Sequence, residues 1–436
     1  MPSKNLLQRS LDAVWHPCTQ MKQHERFPLV PLARGEGLWL YDTNGRRYFD
    51  AVSSWWVNLF GHCNPRINAA IAKQLGTLEH AMLAGFTHAP VVELSERLSA
   101  LTGGALGHAF FASDGASATE IALKMSAHFW RNSGKPAKNR FVCLAGSYHG
   151  ETAGALSVTD IALFRDAYAP LVRQSETVPS PAAADPLAMA QAAATAADAL
   201  DAWLATHADT TAALIIEPLV QCATGMAMYD AVYLQRARAA CDRHQVHLIA
   251  DEIAVGCGRT GSFFACEQAG IQPDFLCLSK GISGGYLPLS IVLSTDSIYR
   301  AFYDDSTIRG FLHSHSYTGN PLACTAALAT LDIFETDQVL AANRQRAAAL
   351  TTAAQTLAQD SRVSNFRRTG MIWAFDVRSD DPSFGRKAFA AGLDCEILLR
   401  PIGSTVYWMP PYLFDDADAA FLVQRTGDAI DAALAA

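Results

Sequence analysis

An α/β fold with a mostly parallel sheet is predicted for this chain by two observations. From about residue 108 onward, short apolar runs alternate with stretches of helical pattern. The apolar runs are continuous rather than alternating, which is typical of strands that helices cover on both faces. The candidate strands are 108–111, 141–144, 213–216, 247–250, 275–278 and 290–293.

The regions on either side of this core predict a smaller α+β domain built from both chain ends. A β-hairpin is expected over 38–49, because Asp42-Thr43-Asn44-Gly45 is a good turn sequence. After about residue 340 the pattern is helix, strands, helix, strands, helix. The resulting division is 1–65 for the N-terminal segment of the small domain, 66–335 for the large domain and 336–436 for the C-terminal small domain.

Helices are predicted between these strands from apolar periodicity and start signals. Pro65 suits a first helical turn, and Ile67, Ile71 and Leu75 follow it at helical spacing. The alanine-rich stretch 181–212 is interpreted as a peripheral helix with loops. The other expected helices are 90–101, 116–132, 230–245 and 321–335.

Composition excludes several classes of protein. Of the 436 residues, 50% are hydrophobic and 17% are charged, which indicates a compact fold. The sequence contains no run of about 18 apolar residues, so no membrane span is predicted. A net charge of -8 without a basic cluster argues against nucleic-acid binding. The ten cysteines form no Cys-x-x-Cys pair, so no metal site is expected, and they suggest reduced thiols in a cytoplasmic protein.

Two charged side chains stand at the ends of predicted strands. Lys280 follows 275–278, and Asp251 follows 247–250. Ligands of parallel sheets bind beyond the carboxyl ends of strands. A partly desolvated lysine there has a lowered pKa and a nucleophilic amine, and a carboxylate can keep a pyridine nitrogen protonated. Each residue alone also fits an ordinary strand end, but the two together are a more specific indication of such a ligand site than either residue is.

A phosphate cradle is predicted where strand 108–111 gives way to helix 116–132. The small residues Gly115 and Ala116 let backbone N–H groups approach an anion at the helix N-terminus. A plain capped helix start is the alternative. Tyr148 follows strand 141–144, where its ring either stacks on a flat cofactor or packs in the core.

Taken together, four motifs resemble the class III aminotransferases of pyridoxal 5′-phosphate (PLP) fold type I. They are Ala250-Asp251-Glu252-Ile253, Gly256-Cys257-Gly258-Arg259-Thr260-Gly261, Leu278-Ser279-Lys280-Gly281 and Gly319-Asn320-Pro321-Leu322-Ala323.

This resemblance implies a PLP-dependent aminotransferase whose cofactor forms a Schiff base with Lys280 and pairs its pyridinium with Asp251. It places Gly115 and Ala116 at the cofactor phosphate, although relatives often have serine in place of Ala116. It also places Glu217 near the cofactor. Ser316, next to His315, stands where the family has a threonine that contacts the cofactor phosphate bound in the neighbouring subunit. The resemblance therefore implies a homodimer with shared active sites. The residues with implied cofactor contacts are Gly115, Ala116, Tyr148, Glu217, Asp251, Lys280, His315 and Ser316.

Motifs at both chain ends resemble the class III members that aminate a long-chain keto acid in biotin synthesis. These motifs surround Cys18, Trp55, Arg400 and Tyr407. By this resemblance Arg400 binds the acceptor's carboxylate, and aromatic side chains line its aliphatic chain. The residues with implied substrate contacts are Cys18, Trp55, Trp56, Tyr148, Lys280, Ser314, Arg400 and Tyr407.

One departure leaves the amino donor open. Cys18 stands where these relatives usually have a tyrosine, and a thiol is a weak hydrogen-bond partner. The donor is therefore S-adenosylmethionine or lysine. Other readings also remain: a class III transaminase acting on ornithine, 4-aminobutyrate or β-alanine, an aminomutase or decarboxylase, and a non-catalytic PLP-binding regulator.

Overall fold

A seven-stranded sheet forms the centre of the molecule in a computed structural model that describes residues 5–27 and 29–436. Four of its six strand pairs are parallel. Only Ser290–Ser294 runs antiparallel to its two neighbours. The prediction of a mostly parallel α/β sheet is therefore confirmed. In spatial order the strands are His108–Ala112, Ser290–Ser294, Phe275–Leu278, His247–Asp251, Thr211–Ile216, Arg140–Leu144 and Glu176–Val178.

Helices cover both faces of this sheet, which explains why its central strands are apolar without alternation. Every residue of Thr211–Ile216 and of His247–Asp251 is buried. The helix starts carry clear signals: Asn64 and Asn320 cap helices with proline in the first turn, and Asp114 caps a third through Ser117 N. The main helices of this part are Pro65–Leu75, Ala89–Leu101, Gly115–Asn132, Met189–His207, Val232–His244 and Pro321–Thr336.

The two chain ends share a four-stranded sheet. The predicted hairpin forms from Trp39–Asp42 and Arg47–Asp50, and Ile397–Leu398 pairs in parallel with its second strand. A strand from the C-terminal region thus joins the N-terminal sheet, although the boundaries after 65 and 335 stay a prediction. The remaining elements of these regions are strands Leu32–Glu36, Val363–Thr369, Ile372–Val377 and Thr405–Trp408, and helices Val339–Ala353, Phe384–Asp394 and Asp416–Ala435.

Several short elements have no clear sequence signal. Glu176–Val178 adds an edge strand of only 3 residues, and Val220–Gln221 pairs with Ala227–Met228. The other short helices are Leu6–Ala13, Ser53–Trp56, Ala153–Ser157, Ala162–Arg165, Asp296–Arg300 and Gln355–Ala358, and the 3-10 turns are Met21–Glu25, Asp166–Leu171, Ala265–Ala269, Lys280–Ser283 and Thr307–Arg309.

The alanine-rich segment 181–212 contains the helix Met189–His207 between loops, in line with the expected peripheral helix, and its last two residues begin the strand Thr211–Ile216. Ala193, Ala196 and Ala197 are buried on Met189–His207 and belong to the same apolar cluster as Ala237 of Val232–His244. Small side chains let two helices approach closely, which accounts for the composition. Across the residues that the structure describes, no helix has the length and apolar character needed to cross a membrane.

Candidate active site

A cleft of about 650 Å³ opens at the carboxyl ends of the parallel strands. Its wall combines residues of the central sheet with residues near both chain ends. It therefore brings together side chains from three separate parts of the sequence. The predicted site residues that line it are Cys18, Trp55, Trp56, Gly115, Ala116, Tyr148, Glu217, Asp251, Lys280, Arg400 and Tyr407.

Lys280 lies at the base of this cleft, two residues beyond the strand Phe275–Leu278. Its φ of 47° falls in the left-handed region, which is strained for a residue with a side chain. Burial lowers the pKa of Lys280 below its ordinary value, although Asp251 opposes this shift. A larger fraction of the amine is therefore neutral, and thus nucleophilic, near pH 7.

Asp251 ends the neighbouring parallel strand and is almost fully buried. Its Oδ2 lies 2.6 Å from His149 Nδ1, and its Oδ1 accepts a hydrogen bond of 3.1 Å from Ile253 N. Both carboxylate oxygens are thus held, which fixes the direction of the carboxylate in the cleft. Sequence reasoning missed the role of His149, because the contact joins residues far apart in the chain.

The start of helix Gly115–Asn132 also faces the cleft. The first N–H groups of a helix have no intrahelical acceptor, so they can donate to an anion. A side chain has no room at Gly115, since a Cβ there would lie 2.9 Å from Ile253 Cγ2. The absence of a side chain keeps the backbone of this first turn accessible.

Tyr148 and two acids form one hydrogen-bonded side of the cleft. The Tyr148 hydroxyl donates to Glu151 Oε1 at 2.9 Å, and Tyr148 N donates to Glu217 Oε2 at 3.2 Å. Burial raises the pKa of Glu217 to about 7, even though it also accepts a hydrogen bond from Cys222 N. Burial therefore favours the protonated form of Glu217 more than it is favoured in an exposed glutamate. Glu151 was not singled out from the sequence.

A one-turn left-handed helix, Ser53–Trp56, carries the two tryptophans. The φ angles of Ser53, Ser54, Trp55 and Trp56 are 50°, 46°, 74° and 72°. Left-handed helical geometry costs about 1–2 kcal/mol per residue with a side chain, so consecutive residues adopt it only when their surroundings impose it. We call this segment the left-handed turn. No sequence signal indicated it.

The left-handed turn builds an aromatic wall that ends in a cation. Trp56 Nε1 donates to the Tyr407 hydroxyl at 3.1 Å, and Lys280 Nζ lies 5.2 Å from the centroid of the Trp56 ring. Trp55 is 42% exposed, and the Arg400 guanidinium carbon lies 4.8 Å from its ring centroid. Arg400 forms no ion pair with the described residues, so its charge is free to bind an anionic ligand.

Cys18 lies at the exposed edge of the cleft, where it approaches Glu151. Its Sγ is 3.9 Å from Glu151 Oε1. Partial burial and the nearby Glu151 carboxylate raise the pKa of the Cys18 thiol, so the thiol is protonated near neutral pH. Cys18 therefore contributes a small uncharged group, not a nucleophile.

The remaining predicted residues do not reach this cleft within one chain. Ser314, His315 and Ser316 are absent from its wall. They lie in the segment before helix Pro321–Thr336, where the His315 carbonyl accepts a hydrogen bond from Thr318 Oγ1 at 2.8 Å. Their contacts with cofactor and substrate stay predictions.

Comparison with known proteins agrees with this geometry. The aminotransferase class-III family matches residues 20–430, and the chain belongs to this family. The chain is 46% identical to the adenosylmethionine-8-amino-7-oxononanoate aminotransferase of Helicobacter pylori over 94% of each protein. It is 40% identical to the enzyme of that name from Synechococcus elongatus, over 96% of this chain and 98% of the relative.

Solved structures extend the agreement to the fold. The adenosylmethionine-8-amino-7-oxononanoate aminotransferase of Methanocaldococcus jannaschii superposes with a TM-score of 0.92 at 32% identity, covering 98% of each chain. An amine transaminase from an uncultivated Pseudomonas species, solved with PLP bound, gives a TM-score of 0.89 at 32% identity, covering 97% of this chain and 98% of its own. The chain is thus a PLP-dependent aminotransferase, as its motifs indicated.

The residues of the cleft fit PLP. The neutral fraction of the Lys280 amine can bond an aldehyde, and the held Asp251 carboxylate can face a pyridine nitrogen. The side-chain-free first turn at Gly115 suits a phosphate. Tyr148 and Ile253, which both line the cleft, offer an aromatic and an aliphatic surface to a flat ring.

We expect Asp251→Asn to slow the donor half-reaction by on the order of 10- to 100-fold while leaving the fold intact. The amide keeps the size of the carboxylate but loses the charge, and a hydrogen bond to a charged group contributes about 1.5–3 kcal/mol. Stopped-flow absorbance measures the rate, and thermal unfolding checks the fold. An unchanged rate in the folded variant would refute the role given to Asp251.

Proposed function

We propose that this enzyme transfers an amino group from S-adenosylmethionine to 8-amino-7-oxononanoate, giving 7,8-diaminononanoate in biotin biosynthesis. One observation carries the proposal: a single cleft joins a nucleophilic lysine, an aromatic wall and an arginine that has no ion-pair partner among the described residues. The names of the relatives from Helicobacter pylori and Synechococcus elongatus support the same reaction.

The acceptor's chemistry matches this arrangement part by part. Its keto carbon has to lie beside the Lys280 amine, and its carboxylate stands at the far end of an aliphatic chain. Trp55 and Tyr407 provide apolar surface for that chain. Arg400 provides a planar guanidinium that can donate two parallel hydrogen bonds to the carboxylate. We infer that this combination of an amine, an apolar wall and a cation in one cleft selects a long keto acid over a short 2-oxo acid.

Each side chain then has a defined task. When bound, PLP accepts the electrons of the substrate carbanion, so that an amino group can leave one carbon and join another. Lys280 Nζ takes the proton from the donor carbon and later returns one to the acceptor carbon. Asp251, oriented by His149, supplies the negative charge that holds a proton on the pyridine nitrogen.

The amino donor is proposed to be S-adenosylmethionine rather than lysine. The relatives' names specify adenosylmethionine. The exposed edge of the cleft carries the Glu151 carboxylate, and its neighbour Cys18 is small. The acid suits either cationic donor, so the room at the open edge and the relatives' names are what favour the bulkier S-adenosylmethionine.

We also propose a cytoplasmic homodimer with shared active sites. Ser314, His315 and Ser316 lie outside the cleft of their own chain, so a partner's cleft is where they would contact the cofactor phosphate and substrate. Exposed apolar side chains such as Phe86, Leu312 and Tyr317 offer surface for such a partner. All ten cysteines are free thiols, which fits a reducing compartment. Sedimentation of the purified enzyme distinguishes a dimer from a monomer.

Single-turnover spectroscopy tests the proposed reaction. The PLP-loaded enzyme is mixed in turn with S-adenosylmethionine, lysine, ornithine and 4-aminobutyrate, and the conversion of PLP to pyridoxamine phosphate is followed. The converted enzyme is then given 8-amino-7-oxononanoate, and 7,8-diaminononanoate is quantified by mass spectrometry. S-adenosylmethionine should be the efficient donor. Conversion by another amine alone, or no amination of the keto acid, would contradict the proposal.

A further inference from the structure

The left-handed turn donates hydrogen bonds to a buried carboxylate that does not line the cleft. Asp50 is fully buried, and it accepts hydrogen bonds from Ser54 N at 2.9 Å and from Ser54 Oγ at 2.7 Å. The Ser54 hydroxyl donates to Asp50 Oδ2, and His62 Nε2 lies 3.0 Å from that same oxygen. Two of these contacts go to one residue in the middle of the turn, where the backbone is strained.

A second set of contacts holds the first residue of the turn and the segment that follows it. Ser53 Oγ donates to the Met409 carbonyl at 2.7 Å. The buried Arg259 donates to the Pro410 carbonyl at 2.7 Å and to the Asn58 carbonyl at 3.3 Å. Arg259 comes from the glycine-rich motif around 256–261, to which the catalytic chemistry assigns no task. The two sets of contacts fix the turn relative to both the C-terminal strands and the segment that follows it.

We propose that Asp50 is a positioning residue that sets recognition of the keto acid, an inference that rests on the proposed function. The bonds to Ser54 stabilise left-handed geometry that the chain does not favour by itself. That geometry aims the Trp55 ring at Arg400, whose guanidinium stacks on it. A stacked guanidinium is pre-oriented, so less freedom is lost when it binds a carboxylate.

Loss of Asp50 should therefore act mainly on the acceptor. Both of its bonds to the turn go to Ser54, next to Trp55, whereas the Trp56 ring, which lies near Lys280, keeps its own hydrogen bond to Tyr407. Without the carboxylate, Ser54 loses both bonds, and the turn can relax toward right-handed backbone angles. The Trp55 ring then moves away from Arg400, and the Arg400 guanidinium loses its fixed orientation. Lys280 and Asp251 are attached to the central sheet, so the chemistry of the donor half-reaction stays in place.

The test compares both half-reactions in Asp50→Ala. The keto-acid KM should rise about 5- to 30-fold, the range expected for loss of a cation–π contact in a partly buried site. The rate constant of the donor half-reaction should change by less than about 3-fold. Asp42→Ala is the matched control, because Asp42 also accepts three hydrogen bonds around a turn, but from Asn44, Arg46 and Tyr48, none of which belongs to the left-handed turn. Its effect on the keto-acid KM should be negligible.

A double-mutant cycle separates positioning from general destabilisation. If Asp50 acts through Trp55, Asp50→Ala should add less than about 2-fold to the KM effect of Trp55→Leu. Additive effects, or equal losses in both half-reactions, would overturn the proposal. Should Asp50→Ala not fold, Ser54→Ala removes one of the two bonds and should give a smaller change in the same direction, about 2- to 10-fold.

A structural readout keeps this inference distinct from the proposed function. In a crystal structure of Asp50→Ala, the Trp55 ring should no longer stack on Arg400. An unmoved Trp55 would overturn the positioning role even if activity fell. If the wild-type enzyme does not aminate the keto acid at all, the proposed function fails, while a displaced Trp55 would still assign Asp50 its positioning role.

Discussion

Turnover should fall by at least about 10³-fold when Lys280 is replaced by alanine. In the proposed mechanism the variant loses both the amine that bonds the cofactor and the group that moves the proton, and general acid–base help alone is worth about 10²–10⁴-fold. The near-visible absorbance of the lysine-bonded cofactor should disappear as well. Steady-state assays and absorbance spectra of the PLP-treated protein measure both effects.

Lys138→Ala is the matched control for this substitution. Lys138 is also a buried lysine, and burial lowers its pKa to about 8. Its ammonium donates to the Ala208 carbonyl, and it does not line the cleft. Activity per folded molecule should be unchanged in this variant. Normal turnover in Lys280→Ala, or an equal loss in both variants, would remove Lys280 from its assigned role.

Arg400→Ala should weaken use of the keto acid by on the order of 10- to 100-fold. A hydrogen-bonded charge pair of this kind contributes about 1.5–3 kcal/mol, and every 1.4 kcal/mol is about tenfold in affinity. The donor half-reaction should change little, because Lys280 is proposed to move the proton in it, whereas Arg400 is proposed to bind the acceptor's carboxylate. Separate measurement of the two half-reactions resolves this difference.

Arg400→Lys provides the control for charge. Lysine keeps the positive charge but loses the planar fork and the stacking on Trp55, so it should recover only part of the lost affinity. Full recovery would mean that charge alone matters. An equal loss in both half-reactions of Arg400→Ala would mean that the arginine supports the fold of the site instead of binding the acceptor.

The sheet and its helices were accessible from the sequence because local patterns determine them. Continuous apolar runs marked the buried strands, and Pro65 marked a helix start at its actual position. The edge strand Glu176–Val178 escaped notice because three residues carry too little periodicity to separate from a loop.

Contacts between distant residues were not accessible from the sequence. The His149–Asp251 contact joins side chains 102 positions apart, and no local pattern reports it. The left-handed turn is more extreme, since Ser53–Trp56 adopts backbone angles that its residue types disfavour. Only the surrounding partners, Asp50 among them, explain that geometry, and they become visible only once the chain is folded.

The candidate site itself combines both kinds of information. Lys280 and Asp251 stood out as charged residues at strand ends, whereas Arg400 and Trp55 were selected by family resemblance. The structure brings all four to one cleft. The roles proposed for Ser314, His315 and Ser316 would require a second chain, so neither the sequence pattern nor one chain's geometry tests them.

Borohydride trapping followed by peptide mapping tests the role of Lys280 most directly. Reduction of the PLP-loaded enzyme should fix the cofactor's aldehyde carbon to a single amine. Mass spectrometry of the digested protein should then find the added mass only on the peptide that contains Lys280. The modification of another lysine, or of none, would contradict the placement of the cofactor at the base of the cleft.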